Sequence, residues 1–162
     1  MTVWGVDPAA RKLALFGING EHHQVHIITT PKLGRGNELT RMRYQLEKLL
    51  GAEADPIVFC EEPVVAGVRN LRSTILLAQT VGMVLALDVP VYLVPVSTWK
   101  KDTTGRGNAD KSGVSEWLRL EYEQYFLSCD GNQDAVDAAA IAIHGINVLH
   151  RSTVDSGSRS HL

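Results

Sequence analysis

The opening thirty residues constrain the fold most. Val3 to Val6, Lys12 to Ile18 and Val25 to Thr29 are short runs rich in β-branched and other apolar residues. Turn-forming segments separate them, Pro8-Ala9-Ala10 and Asn19-Gly20-Glu21. An Asn-Gly pair between two such runs is a strong hairpin signal, because both residues tolerate the positive φ of a tight turn. The three runs predict an antiparallel three-strand meander, closed by a loop from Pro31 to Gly36.

Beyond that loop the period changes. Leu39, Met42, Leu46 and Leu49 recur at threes and fours, which predicts a helix from Asn37 to Leu50. Ile57 to Glu61, after Asp55-Pro56, reads as a short buried strand, and Val91 to Val94, set off by Pro90 and Pro95, as another. Further helices are expected over Asn70 to Leu87, Ala109 to Phe126 and Asp134 to Leu149. The order β-β-β-α-β-α-β-α-α implies an α/β fold: a mixed five-stranded sheet, meander plus parallel strands, flanked by helices. One domain accounts for residues 1–150, and the Ser-rich stretch 151–162 lacks periodicity and predicts a disordered tail. The Asn70 to Leu87 helix is apolar nearly all round, so two of its sides should be covered, one by the sheet and one by a second subunit.

Composition excludes several classes. Apolar residues make up 44% of the chain at a mean hydropathy of −0.04, the profile of a globular protein. No apolar run reaches the roughly 18 residues of a membrane span. MTVWGVDP lacks a basic segment followed by an apolar one, so it reads as a strand and not a signal peptide. Cys60 and Cys129 lie far apart and match no metal-binding spacing, which fits a reduced, cytoplasmic setting. His22, His23 and His26 cluster in a turn and an exposed strand without zinc-site spacing. The net charge of −2 argues weakly against nucleic acid. Bases nonetheless concentrate in Arg35 to Lys48, Arg69 to Arg72 and Lys100 to Lys111.

The acids stand where chemistry could use them. Asp7 ends the first strand, although an acid there could equally open a turn through Pro8. Glu61 and Glu62 end the fourth strand and must point to opposite sides of it, one free to face a site. Asp134 and Asp137 share one face of the last helix, a turn apart. Asp134 alone could be a helix cap, a role that suits Asp137 less well. If the two strands are neighbours and the helix crosses their ends, four carboxylates converge. They could not all ionise without cations, and hard oxygen ligands select Mg²⁺ or Mn²⁺. Two such ions about 3.5–4 Å apart suit phosphodiester hydrolysis.

Four motifs in order carry a resemblance. GVDP resembles the first-strand motif of the RuvC family of the ribonuclease H-like superfamily, and IVFCEEP its second motif. TWKKDTTGRGNADKSGV is similar to the family's basic segment, with Lys100 and Lys111 as the matching lysines, and QDAVDAAAIAIH to its closing motif. The likeness spans roughly residues 2–149. It implies a homodimeric, Mg²⁺-dependent endonuclease, with Mn²⁺ able to substitute, that resolves four-way (Holliday) junctions by paired nicks. It further implies that Asp7, Glu61, Asp134 and Asp137 hold two ions, that Lys111 assists them, and that Lys100, Arg69, Arg72, Arg106 and Lys111 meet branched DNA. The compact length is also similar to resolvase-like proteins of bacteriophages. The chain departs from the family after Pro8, where Ala9-Ala10-Arg11-Lys12 replaces a small residue and a Thr-Gly turn. Trp99 and Trp117 could stack on bases, but large aromatics more often fill a core or interface.

Three other readings stay open at this level. One keeps the fold and cuts RNA–DNA hybrid or RNA. Another is a junction-binding module without turnover, which would gain nothing from acids facing phosphates. The last is a nucleotide-binding domain of the actin and sugar-kinase type, for which the chain lacks a second lobe.

Overall fold

The computed structural model describes residues 1–64 and 70–157. Among these residues the chain forms β1 (Thr2–Pro8), β2 (Lys12–Asn19), β3 (His22–Thr29), α1 (Arg35–Leu50), β4 (Pro56–Glu61), α2 (Leu71–Leu85), β5 (Val91–Val94), α3 (Val96–Thr104), α4 (Lys111–Glu121), α5 (Glu123–Ser128) and α6 (Gln133–Gly157).

The strands form one sheet in the order β3-β2-β1-β4-β5. The meander is antiparallel, with Val3 opposite Ile18 and Pro8 opposite Leu13 in one pair and Lys12 opposite Thr29 in the other. Gly20 takes a φ of 61° at the hairpin tip, the conformation that its lack of a Cβ permits. β1 and β4 run parallel, Thr2 beside Pro56 through Val6 beside Cys60, and β5 extends the parallel half. The mixed five-stranded sheet expected from the sequence is present.

Strand alternation sorts the core into two layers. Val3, Ala14, Phe16, Ile18 and Phe59 face α6, together with Trp99 of α3 and Val114 and Leu118 of α4. Trp4, Val6, Leu13, Leu15, Val58 and Cys60 face α1 and α2, through Met42, Leu46, Val81 and Val84. The contact between β1 and α6 is unusually close. A Cβ on Gly5 would lie 2.0 Å from the Ala138 carbonyl oxygen and 2.4 Å from the Ala142 nitrogen. Only a residue without a side chain lets the helix rest on the strand here.

Several boundaries differ from expectation. α3 was not foreseen: VSTWKKDTT is short and rich in β-branched residues, and its helix is held by tertiary burial of Trp99. The helix expected over Ala109 to Phe126 starts at Lys111 behind an Asp110 cap, whose carboxylate accepts from the Gly113 N–H at 2.8 Å. It then breaks at Tyr122, which adopts φ −141° and ψ 59°. α6 does not end at Leu149 but continues to Gly157, so the first part of the expected tail is helical. Arg151 supplies a reason, ion-pairing with Asp102 of α3, which also accepts from His144 Nδ1 at 2.9 Å. α2 is buried on one side only. Thr80, Val81, Met83 and Val84 are covered, whereas Leu71, Ile75 and Leu85 are exposed.

A cluster of carboxylates at the strand ends

β1 and β4 deliver two acids to one sheet edge. Their parallel register ends at Val6 beside Cys60, and Asp7 and Glu61 follow one position later on neighbouring strands. Alternation turns both toward α6: Asp7 follows Val3 and Gly5 on that face, and Glu61 follows Phe59. Glu62 therefore points the other way and is exposed, while its N–H is used by the Val94 carbonyl at 2.9 Å. Of the two acids, Glu61 is the one turned toward α6.

α6 supplies the other two. Its N-terminus is capped by Asn132, whose Oδ1 accepts from the backbone N–H of Asp134 at 3.1 Å and of Ala135 at 3.3 Å. The alternative reading of Asp134 as the cap falls away, and its carboxylate is left for other work. Because α6 seats on β1 at Gly5, its first turns lie over the end of that strand.

The electrostatics record the convergence. Burial first, then the carboxylates of Glu61, Asp137 and Asp134, push the Asp7 carboxyl from 3.8 up to about 8 against the pull of Lys111. Burial also raises Glu61 and Asp137 above the ordinary carboxylate range. Each is partly relieved by a donor: Trp99 Nε1–H donates to Glu61 Oε2 at 3.1 Å, and Gln133 Nε2–H to Asp137 Oδ1 at 3.0 Å. Lys100 and Lys111 lower both acids, so the two lysines of the basic segment stand near the cluster. Asp134 is taken by Lys12, whose Nζ ion-pairs with its Oδ2.

With three acids held by protein donors, no three His, Cys, Asp or Glu side chains among the described residues close around a point that could hold an ion. The donor set still fits a divalent cation. All four groups are hard oxygen ligands, and burial together with the neighbouring carboxylates raises Asp7, a cost that bound positive charge would offset.

The remaining expected contacts are spread more widely. Lys111 is exposed at the start of α4. Lys100 lies over the Trp99 ring at 5.5 Å and donates to the Ala109 carbonyl at 2.7 Å, which closes the Gly-rich segment. Arg106 is exposed within that segment, after Gly105 ends α3 in the left-handed conformation. Arg72 is exposed on α2, a helix of the opposite sheet face. Arg69 lies outside the described residues, as does most of the Val64 to Asn70 loop. Trp99 is buried and bonded to Glu61, so its ring is not free for a base, whereas Trp117 is half-buried and packs on Tyr122 at 5.5 Å. Sequence reasoning missed the Trp99 and Gln133 donors and the Lys12 pair. The spacing of Gln133 four residues before Asp137 was the one available signal.

The chain matches no family model. A crossover junction endodeoxyribonuclease RuvC of Chlamydia trachomatis serovar L2 is 27% identical over 153 residues, spanning 87% of this chain and 88% of the relative. Thermus thermophilus RuvC, solved in complex with a Holliday junction substrate, is similar with a TM-score of 0.64 and 21% identity over 88% of this chain and 90% of that one. A fowlpox virus resolvase, solved with substrate Holliday junction DNA, gives a TM-score of 0.52 at 14% identity, covering 92% and 99%. The sheet order and the helices on its two faces give this chain the ribonuclease H-like fold seen in RuvC, and its sequence is similar to RuvC proteins along most of its length.

Proposed function

We propose that the chain is a structure-selective DNA endonuclease that resolves four-way junctions by metal-dependent hydrolysis of phosphodiesters. The observation that carries this reading is the meeting of Asp7, Glu61, Asp134 and Asp137 from three separate elements at one sheet edge, with Asp7 pushed up to about 8. An acidic cluster on this fold supports cutting, because a pure binder would be weakened by carboxylates facing phosphates.

Asp7, central to the electrostatics, would be shared between two cations; Glu61 and Asp137 would each hold one, and Asp134 would complete the set. Mg²⁺ is the expected ion and Mn²⁺ its substitute. Bound there, two divalent ions supply the positive charge that favours attack of water on phosphorus and departure of the 3′ oxygen. The chain's own residues do the rest. Trp99 orients Glu61, Gln133 orients Asp137, and Lys111 neutralises a phosphate beside the cut. The product carries a 5′ phosphate. Lys100, Arg106 and Arg72, with Arg69, extend the DNA contact away from the cluster.

Paired nicks need two sites related by a two-fold axis. The exposed Leu71, Ile75 and Leu85 of α2 supply an apolar face for a homodimer. Among the described residues no helix is long and apolar enough to cross a membrane, and a DNA substrate would place the enzyme in the cytoplasm of a bacterium or of a phage's host.

The test is cleavage of a synthetic immobile four-way junction with Mg²⁺, beside linear duplex, RNA–DNA hybrid and the Asp7→Asn variant. Symmetric paired nicks near the crossover, absent in the variant, are the expected result. Cutting of the hybrid alone would move the substrate class, and tight junction binding without cutting in either metal would make the protein an architectural module.

A further inference from the structure

Lys12 belongs to the segment where this chain departs from the RuvC pattern. It opens β2 opposite Thr29, one residue before Leu13, which pairs with Pro8, so it stands beside the end of β1 that carries Asp7. Leu13 and Leu15 face α1 and α2, whereas Ala14 and Phe16 face α6. Alternation therefore aims Lys12 at α6, where its Nζ meets the Asp134 carboxylate. Among the described residues no other cation forms an ion pair with any of the four acids. Lys100 is engaged by the Ala109 carbonyl, and Lys111 acts on the cluster without a direct pair.

We infer that Lys12 is a resident counter-ion of the carboxylate cluster, one that must leave Asp134 before that acid can join a divalent cation. The inference rests on the four-carboxylate reading above. An ammonium and a divalent cation compete for the same oxygens, and once the ion is in place the two positive charges repel. Lys12 thus offsets the Asp134 charge in the metal-free protein and sets how readily metal enters. At 39% exposure the lysine is free to swing into solvent, and Asp134, at 24%, is within reach of an incoming ion. Its influence is a modest one, because a partly exposed pair is weak.

The experiment is calorimetric titration of Mn²⁺ and Mg²⁺ into the metal-free full chain without DNA. Lys12→Met, which keeps the apolar stem and removes the charge, is compared with wild type, Lys12→Arg and Lys32→Met; the last removes one positive charge from the exposed loop before α1. Lys12→Met should bind metal about three- to tenfold more tightly, while Lys12→Arg and Lys32→Met stay close to wild type. In chelator Lys12→Met should also melt below wild type, and saturating Mn²⁺ should close the gap. Equal or weaker metal binding by Lys12→Met, or an equal gain in Lys32→Met, overturns the counter-ion role. Asp7→Asn separates the two levels. If wild type binds metal and Asp7→Asn does not, an unchanged Lys12→Met sinks this inference alone; if neither wild type nor Lys12→Met binds metal, the carboxylate reading falls and the inference with it.

Discussion

Asp7 concentrates the cost of assembling this site. Its carboxyl, raised to about 8, holds a proton in the folded chain at pH values where the unfolded chain has lost it. The stabilising contribution is therefore complete below about pH 4 and disappears as pH rises through about 8. In chelator, Asp7→Asn should gain stability relative to wild type from pH 5 to pH 8, by about 2 kcal/mol or more on a few-unit shift. Thermal melts across that range measure it, and parallel curves for the two proteins would contradict it. Metal should reverse the order, since only wild type has the full acid set. Lys111→Ala tests a second residue: cutting should slow more than junction binding weakens, and equal losses would recast Lys111 as a simple phosphate anchor.

At the scale of elements, the site depends on how closely α6 lies on β1. Gly5→Ala puts a methyl group into the Ala138 carbonyl, a backbone atom that cannot step aside. The helix must lift, which should cost about 3 kcal/mol in denaturant unfolding and displace Asp134 and Asp137 from Asp7. Gly36→Ala is the matched control in α1, where an added Cβ meets nothing within 4 Å. It should be neutral or stabilising by up to about 1 kcal/mol, and equal losses for both would refute the close-approach argument. α3 has a comparable role from the other side. It carries Trp99 to Glu61, and its Asp102 is tied to His144 and Arg151 of α6, so the two elements around the cluster are clasped together.

For the whole molecule, the central question is symmetry. α2 buries one side in the core and shows Leu71, Ile75 and Leu85 to solvent, a face that a second copy would cover. Sedimentation should find a dimer at micromolar concentration and a monomer for Ile75→Glu, because burying an unpaired carboxylate in an apolar interface is costly. That monomer should still bind metal but lose coordinated nicking of the two strands. A wild-type monomer would count against symmetric resolution.

Much of this was legible in the chain itself. The Asn19-Gly20 turn, the β-branched runs and the threes and fours of Leu39 to Leu49 dictate local structure, because hairpin geometry and amphipathic periodicity act over a few residues. They placed Asp7 and Glu61 at strand ends and Asp134 and Asp137 on one helix face. What they left open was decided over longer range. β4 lies beside β1 and not at an edge, Gly5 admits α6, and alternation in that register turns Glu61, not Glu62, toward α6. α3 forms although its sequence is a poor helix former, because burial of Trp99 outweighs local preference. The Lys12 contact with Asp134 joins residues more than a hundred positions apart, and no local pattern encodes it. Propensity acts between neighbours along the chain, whereas the electrostatics of a site depend on which distant groups packing brings together.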